Sequence, residues 1–160
     1  MAPDIALMRE LDELEAALDE RRQYNKLAYF RPYPWQRKLL NSSKDNAQTL
    51  LMAANRVGKS YSGAMNIAYH ATGLYPDDWE GHKWLHPINC WAAGVSAEST
   101  RDILQNELLG TPENPDALGT GAIPRDCIGE RTRKAQVPNA VASVLVKHHT
   151  NGVFDGWSKI

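Results

Sequence analysis

With 160 residues, 18 basic and 19 acidic side chains and a formal charge of -1, the chain is long enough to enclose one hydrophobic core. It has no global positive field that would by itself hold a polyanion. Cys90 and Cys127 stand too far apart for a CxxC site and nothing resembles a disulfide framework, which fits a reducing cytoplasm; no apolar run approaches the roughly 18 residues that span a bilayer, and the acidic N-terminus is unlike a secretory signal.

From Asp4 to Lys26 the pattern is helical, with Leu7, Leu11, Leu14 and Leu18 on one face. The run is too short for a coiled coil, so this helix is expected to pack on its own domain and leave Glu10, Asp12, Glu13 and Glu15 in water. Between Phe30 and Gln36, Pro32 and Pro34 force an extended entry, and Arg37 to Leu40 begin a short helix. Thr49 to Met52 read as a strand. Ala53 to Ser60 form a loop, after which Ala64, Ile67, Ala68 and Ala71 draw the apolar stripe of a helix that Gly73 stops.

Tyr75 to Pro87 is irregular and aromatic, and a second strand covers Asn89 to Val95. Ser96 caps a helix whose Ala97, Thr100, Leu104 and Leu108 share a face before Gly110 and Pro112 end it. Thr111 to Arg125 reads as a loop, and the following Arg125, Arg131, Arg133 and Lys134 as a solvated basic loop. Val141 to Val146 and Val153 to Ile160 are strands on either side of an Asn151-Gly152 turn. The alternation predicts an α/β fold with an incomplete, mostly parallel sheet, helices on both faces, and one helix in front.

Ala53-Ala54-Asn55-Arg56-Val57-Gly58-Lys59-Ser60 follows the nucleotide phosphate-loop pattern G-x-x-x-x-G-K-[ST], with Ala53 replacing the first glycine. In such a loop the backbone N–H groups of Ala54, Asn55, Val57 and Gly58 cradle phosphates, Lys59 neutralises their charge and the Ser60 hydroxyl ligates Mg²⁺. The helix that follows adds its N-terminal dipole at the anion. Arg56 is a candidate arginine finger supplied in cis, the only catalytic group proposed. Gln36, 23 residues before Lys59, is a candidate reader of adenine, since an amide both donates and accepts, with Tyr33 or Trp35 to stack on the ring.

With these pieces the chain resembles the N-terminal ATPase domain of the large terminase subunit of tailed bacteriophages. The resemblance runs from about Phe30 to the end and is carried by Pro32 to Gln36, the Ala53 to Ser60 loop, Gly73 to Pro76, and Gly94 to Asp102. The family tolerates a non-glycine opening and an arginine within the loop. Residues 1–28 stand ahead of it as the expected N-terminal amphipathic helix, and the resemblance implies 29–160 as the front of a P-loop ATPase that uses ATP and Mg²⁺. It also implies double-stranded DNA, the portal protein and the small terminase subunit as partners, a homo-oligomeric ring, and the host bacterial cytoplasm as location.

A complete member also carries a strand-terminal aspartate with a catalytic glutamate, and an RNase H-type nuclease. Neither is visible: Val144 to Val146 run into Lys147, and Asp155 before Gly156 reads as a turn. A truncated ATPase front lacking its hydrolytic acid is therefore expected. The alternatives are a nucleotide-binding or assembly module that does not hydrolyse ATP, and a helicase-like ATPase; a small-molecule kinase fits less well. His82 with His86 lacks a third metal ligand, His148 and His149 should face opposite ways, and Ser96 sits in no nucleophile elbow.

Overall fold

The computed structural model describes residues 5–160. Helix α1 (Ile5–Tyr24) leads into the single-turn α2 (Lys26–Tyr29), where Asn25 Oδ1 accepts from the Ala28 N–H at 3.3 Å. Asp4, the expected start of α1, lies outside the described residues. Helix α3 (Pro34–Asn41) has Pro34 in its first turn, where a missing N–H costs nothing. Helix α4 (Lys59–Thr72) ends at Gly73, whose φ of 68° is left-handed and whose N–H returns to Tyr69 O at 2.9 Å.

Helix α5 has three parts: Ala97–Ser99, a π-type stretch Thr100–Gln105, and Asn106–Leu109. Ser96 caps it as expected, accepting from the Ser99 N–H at 3.1 Å while Ser99 Oγ accepts from the Ser96 N–H at 3.0 Å. Its last carbonyls are not left bare. Glu107, Leu108 and Leu109 accept from the N–H groups of Ala122, Ile123 and Gly119, which draws the 119–123 loop into the core.

Strands β1 (Ile128–Arg133), β2 (Val141–Thr150) and β3 (Val153–Lys159) form one sheet in the order β1-β2-β3, with both pairings antiparallel. This corrects the mostly parallel sheet. The Asn151-Gly152 pair, with φ of 53° and 80°, makes the two-residue turn that obliges β2 and β3 to run opposite ways. The expected strands at 49–52 and 89–95 find no ladder among the described residues. Leu50 is 83 % exposed and Val95 fully so, and the later segment joins the sheet by one parallel bridge, between Asn89 and Lys159. Arg125 to Lys134 is likewise not a loop but a short 3₁₀ turn and β1.

Helices cover one sheet face, not two. Val144, Val146 and His148 point from β2 into the core, while Trp157 and Phe154, paired across the other face with Lys147 and His149, meet edge to face at 5.7 Å and stay half exposed. Nor does α1 pack on the domain. Leu7, Leu11, Leu14 and Leu18 are all exposed, and the helix is anchored at its end, where Arg125 lies 4.2 Å over the Tyr24 ring.

The core gathers around α4, whose Ser62, Met65, Ala68, Ala71 and Thr72 are wholly enclosed, with Leu27, Leu40, Leu108, Ile123 and Val146 packed about it. Beside it Tyr69, Tyr75 and His70 surround Trp79. The Tyr75 hydroxyl accepts from the Trp84 N–H at 3.0 Å and is hydrogen-bonded to His70 Nδ1, also 3.0 Å away.

Two stability effects follow. At Gly73 an added Cβ would meet His149 O at 2.1 Å, and a left-handed alanine alone costs about 1–2 kcal/mol; Gly73→Ala should therefore lose at least about 2 kcal/mol in urea unfolding. Burial, with a smaller push from His82, pulls His70 down to about 4. The unfolded chain then takes up the proton first as pH falls, so this contribution is whole above about pH 6.5 and is lost between there and pH 4. Wild type should lose about 2 kcal/mol from pH 7 to pH 5 beyond what a His70→Phe variant loses.

Candidate functional site

The 53–60 loop wraps the start of α4. Arg56 and Gly58 both have left-handed φ, 60° and 87°; the first stores backbone strain of about 1–2 kcal/mol, the second is a conformation glycine adopts freely. Ser62 N–H makes the first intrahelical bond, to Gly58 O at 2.9 Å. The N–H groups of Lys59, Ser60 and Tyr61 precede it and have no helical acceptor. Lys59 Nζ folds back over the loop and donates to Ala53 O at 2.7 Å and Ala54 O at 2.6 Å.

Beside this loop lies a cleft of about 630 Å³. Tyr29, Phe30, Tyr33 and Tyr61 give it aromatic walls, and Arg22, Lys26, Arg31 and Arg56 give it four cations; Gln36, Val57 and Gly58 complete the lining. Phe30 and Tyr61 meet edge to face at 5.5 Å. A concave site with apolar walls and a cationic rim suits a ligand that is flat at one end and anionic at the other.

The structure thus brings together Gln36, Arg56, Val57 and Gly58, places Lys59 and the exposed Ser60 at the start of the adjoining helix, and leaves Asn55 exposed on the loop and Trp35 away from the cleft lining. Gln36 is only 3 % exposed. Its Oε1 accepts from the Tyr33 N–H, capping α3, and its Nε2 donates to Ser62 Oγ, both at 2.8 Å. Ser62 is absent from the sequence reading, yet its place four residues after Gly58 is where a helical hydroxyl bonds back to a carbonyl. Arg22, Lys26 and Arg31 were hidden among many surface cations.

Asp155 is not in a turn. It sits within β3, where its carboxylate accepts from Thr150 Oγ1 at 2.6 Å and bonds His148 Nδ1 at 2.7 Å. Burial pushes its pKa up, but the hydrogen bonds from Thr150 and His148 outweigh this and leave it below the usual carboxylate range. His148 and His149 face opposite ways as expected, the first buried toward Gly73, the second against Phe154. Among the described residues no group of three His, Cys, Asp or Glu is arranged to hold a metal ion, and no helix is long and apolar enough to cross a membrane.

The chain is 35% identical, over 162 aligned positions, to the terminase large subunit of Salmonella phage P22; the match covers 91% of this chain and 32% of that protein. The chain therefore spans about a third of the relative's length. No family model and no solved structure matches it.

If Asp155 serves the hairpin, Asp155→Ala strands a buried imidazole nitrogen and should lower the urea-unfolding midpoint, whereas Asp155→Asn, which keeps an acceptor, should lower it less.

Proposed function

We propose that the chain, given its similarity to the terminase large subunit of Salmonella phage P22, is the nucleotide-binding front of such a subunit, a viral DNA-packaging ATPase. One observation carries the reading: the cleft lined by Gln36, Arg56 and Gly58 opens directly onto the start of α4, where Lys59 and three uncommitted N–H groups converge.

The residues present fit Mg·ATP. The aromatic walls suit the base, and the dipole end of α4 suits the phosphates. Lys59 would exchange two loop carbonyls for phosphate oxygens, Ala54, Asn55, Val57 and Gly58 would offer backbone N–H groups, and Ser60 would hold Mg²⁺. Arg56, on the cleft rim, would neutralise charge at the terminal phosphate. When bound, the nucleotide supplies the phosphoanhydride whose cleavage drives DNA movement.

In that role the partners are double-stranded DNA, the portal protein, the small terminase subunit and further copies in a ring, within the host bacterial cytoplasm. The bare 49–52 and 91–95 segments are, on this reading, seats for strands from the rest of a subunit about three times as long. A second reading is favoured by Asp155: with that carboxylate held by His148 and Thr150, this stretch binds nucleotide without hydrolysing it.

Fluorescent-nucleotide titration of the 160-residue chain tests both. Lys59→Ala should weaken Mg·ATP at least about tenfold, since a charge-assisted contact is worth roughly 1.5–3 kcal/mol. Unchanged affinity in the folded variant refutes the nucleotide reading; robust Lys59-dependent turnover refutes the second and returns attention to Asp155.

A further inference from the structure

Gln36, Ser62 and Gly58 form one hydrogen-bonded chain whose direction is set by chemistry. The Tyr33 N–H can only donate, so the atom facing it at 2.8 Å is Gln36 Oε1 and the amide's other end is Nε2. Nε2 can only donate, so Ser62 Oγ accepts from it at 2.8 Å; Gly58 O can only accept, so the Ser62 hydroxyl hydrogen goes there, again at 2.8 Å. Ser62 is wholly buried and does not line the cleft.

The Gly58 carbonyl receives two bonds from one residue, the N–H and the hydroxyl of Ser62. A peptide unit is planar and its C=O and N–H point opposite ways. Pinning Gly58 O toward α4 therefore turns the Lys59 N–H outward from the helix start, where an anion would meet it. The amide lies beside the loop: a Cβ added at Gly58 would be in ordinary van der Waals contact with Gln36 Nε2, at 3.6 Å.

We propose that Ser62 and Gln36 are positioning residues that set the 53–60 loop, and that Gln36 acts on a bound nucleotide through this loop and not by reading its base. The inference rests on the nucleotide-binding reading. It requires that the base be irrelevant to the effect: removing either side chain should weaken every triphosphate ligand alike, including one that has no base.

The test measures affinities of wild type, Gln36→Ala, Ser62→Ala and the double variant for Mg·ATP, Mg·GTP and Mg·tripolyphosphate, with circular-dichroism melts to establish folding. The Lys59 amide resonance is followed without ligand. Ser62→Ala keeps helix propensity, so it serves if Gln36→Ala does not fold. Each single variant should weaken all three ligands by one common factor, roughly three- to tenfold, the double should be no worse than the stronger single, and the Lys59 amide should shift in each. A loss confined to Mg·ATP, with tripolyphosphate unaffected, overturns the proposal in favour of base reading. So does a Ser62→Ala variant that binds all three like wild type. A folded wild type that binds none of the three refutes the nucleotide reading itself.

Discussion

A helix enclosed on several sides has to be narrow, and that constraint organises this molecule. Helix α4 is touched by α2, α3, α5, β2 and β3, and it admits them because Ser62, Ala64, Ala68, Ala71 and Thr72 present little bulk. Its buried hydroxyls are satisfied close at hand: Thr72 Oγ1 donates to Ala68 O at 2.7 Å, and Ser62 Oγ bonds Gly58 O. Both ends of the helix then inherit its rigidity. One end carries the 53–60 loop, and the other presses Gly73 under the β2–β3 hairpin.

The cleft is assembled from two stretches with different demands. Residues 29–36 bring the aromatic walls and must leave α2 in extended form to turn into α3, which Pro32 and Pro34 enforce. Residues 53–60 bring Arg56, one of the four cations, together with Val57 and Gly58, and need left-handed backbone at Arg56 and Gly58. What ties them is a single buried amide, since Gln36 caps α3 with one end and reaches α4 with the other. A buried amide with both ends bonded specifies distance and orientation more sharply than apolar contact does.

Local signals were legible in the sequence, and non-local ones were not. The Gly73 stop, the Ser96 cap and the Asn151-Gly152 turn all rest on residues within a few positions of one another, and each stands where expected. Strand direction depends on partners. Leu50 and Met52 have the composition of a buried strand, yet no described residue pairs with them; β1, rich in Arg and Glu, reads as loop because its pairing with β2 and not its own pattern makes it a strand. The candidate loop was visible as a motif, but the hydrogen bonds that shape it run through Ser62, which in a helix interior carries no signal of its own.

Helix α1, about 30 Å long, is joined to the body only around Tyr24. A helix without packing lives on its own propensity, and its run of Leu, Ala, Glu and Arg is favourable but near the length at which an isolated helix is marginal. Its order is therefore thermally separate from that of the body: it frays gradually on warming, in advance of the cooperative transition, and amide exchange there proceeds by local opening and not by global unfolding.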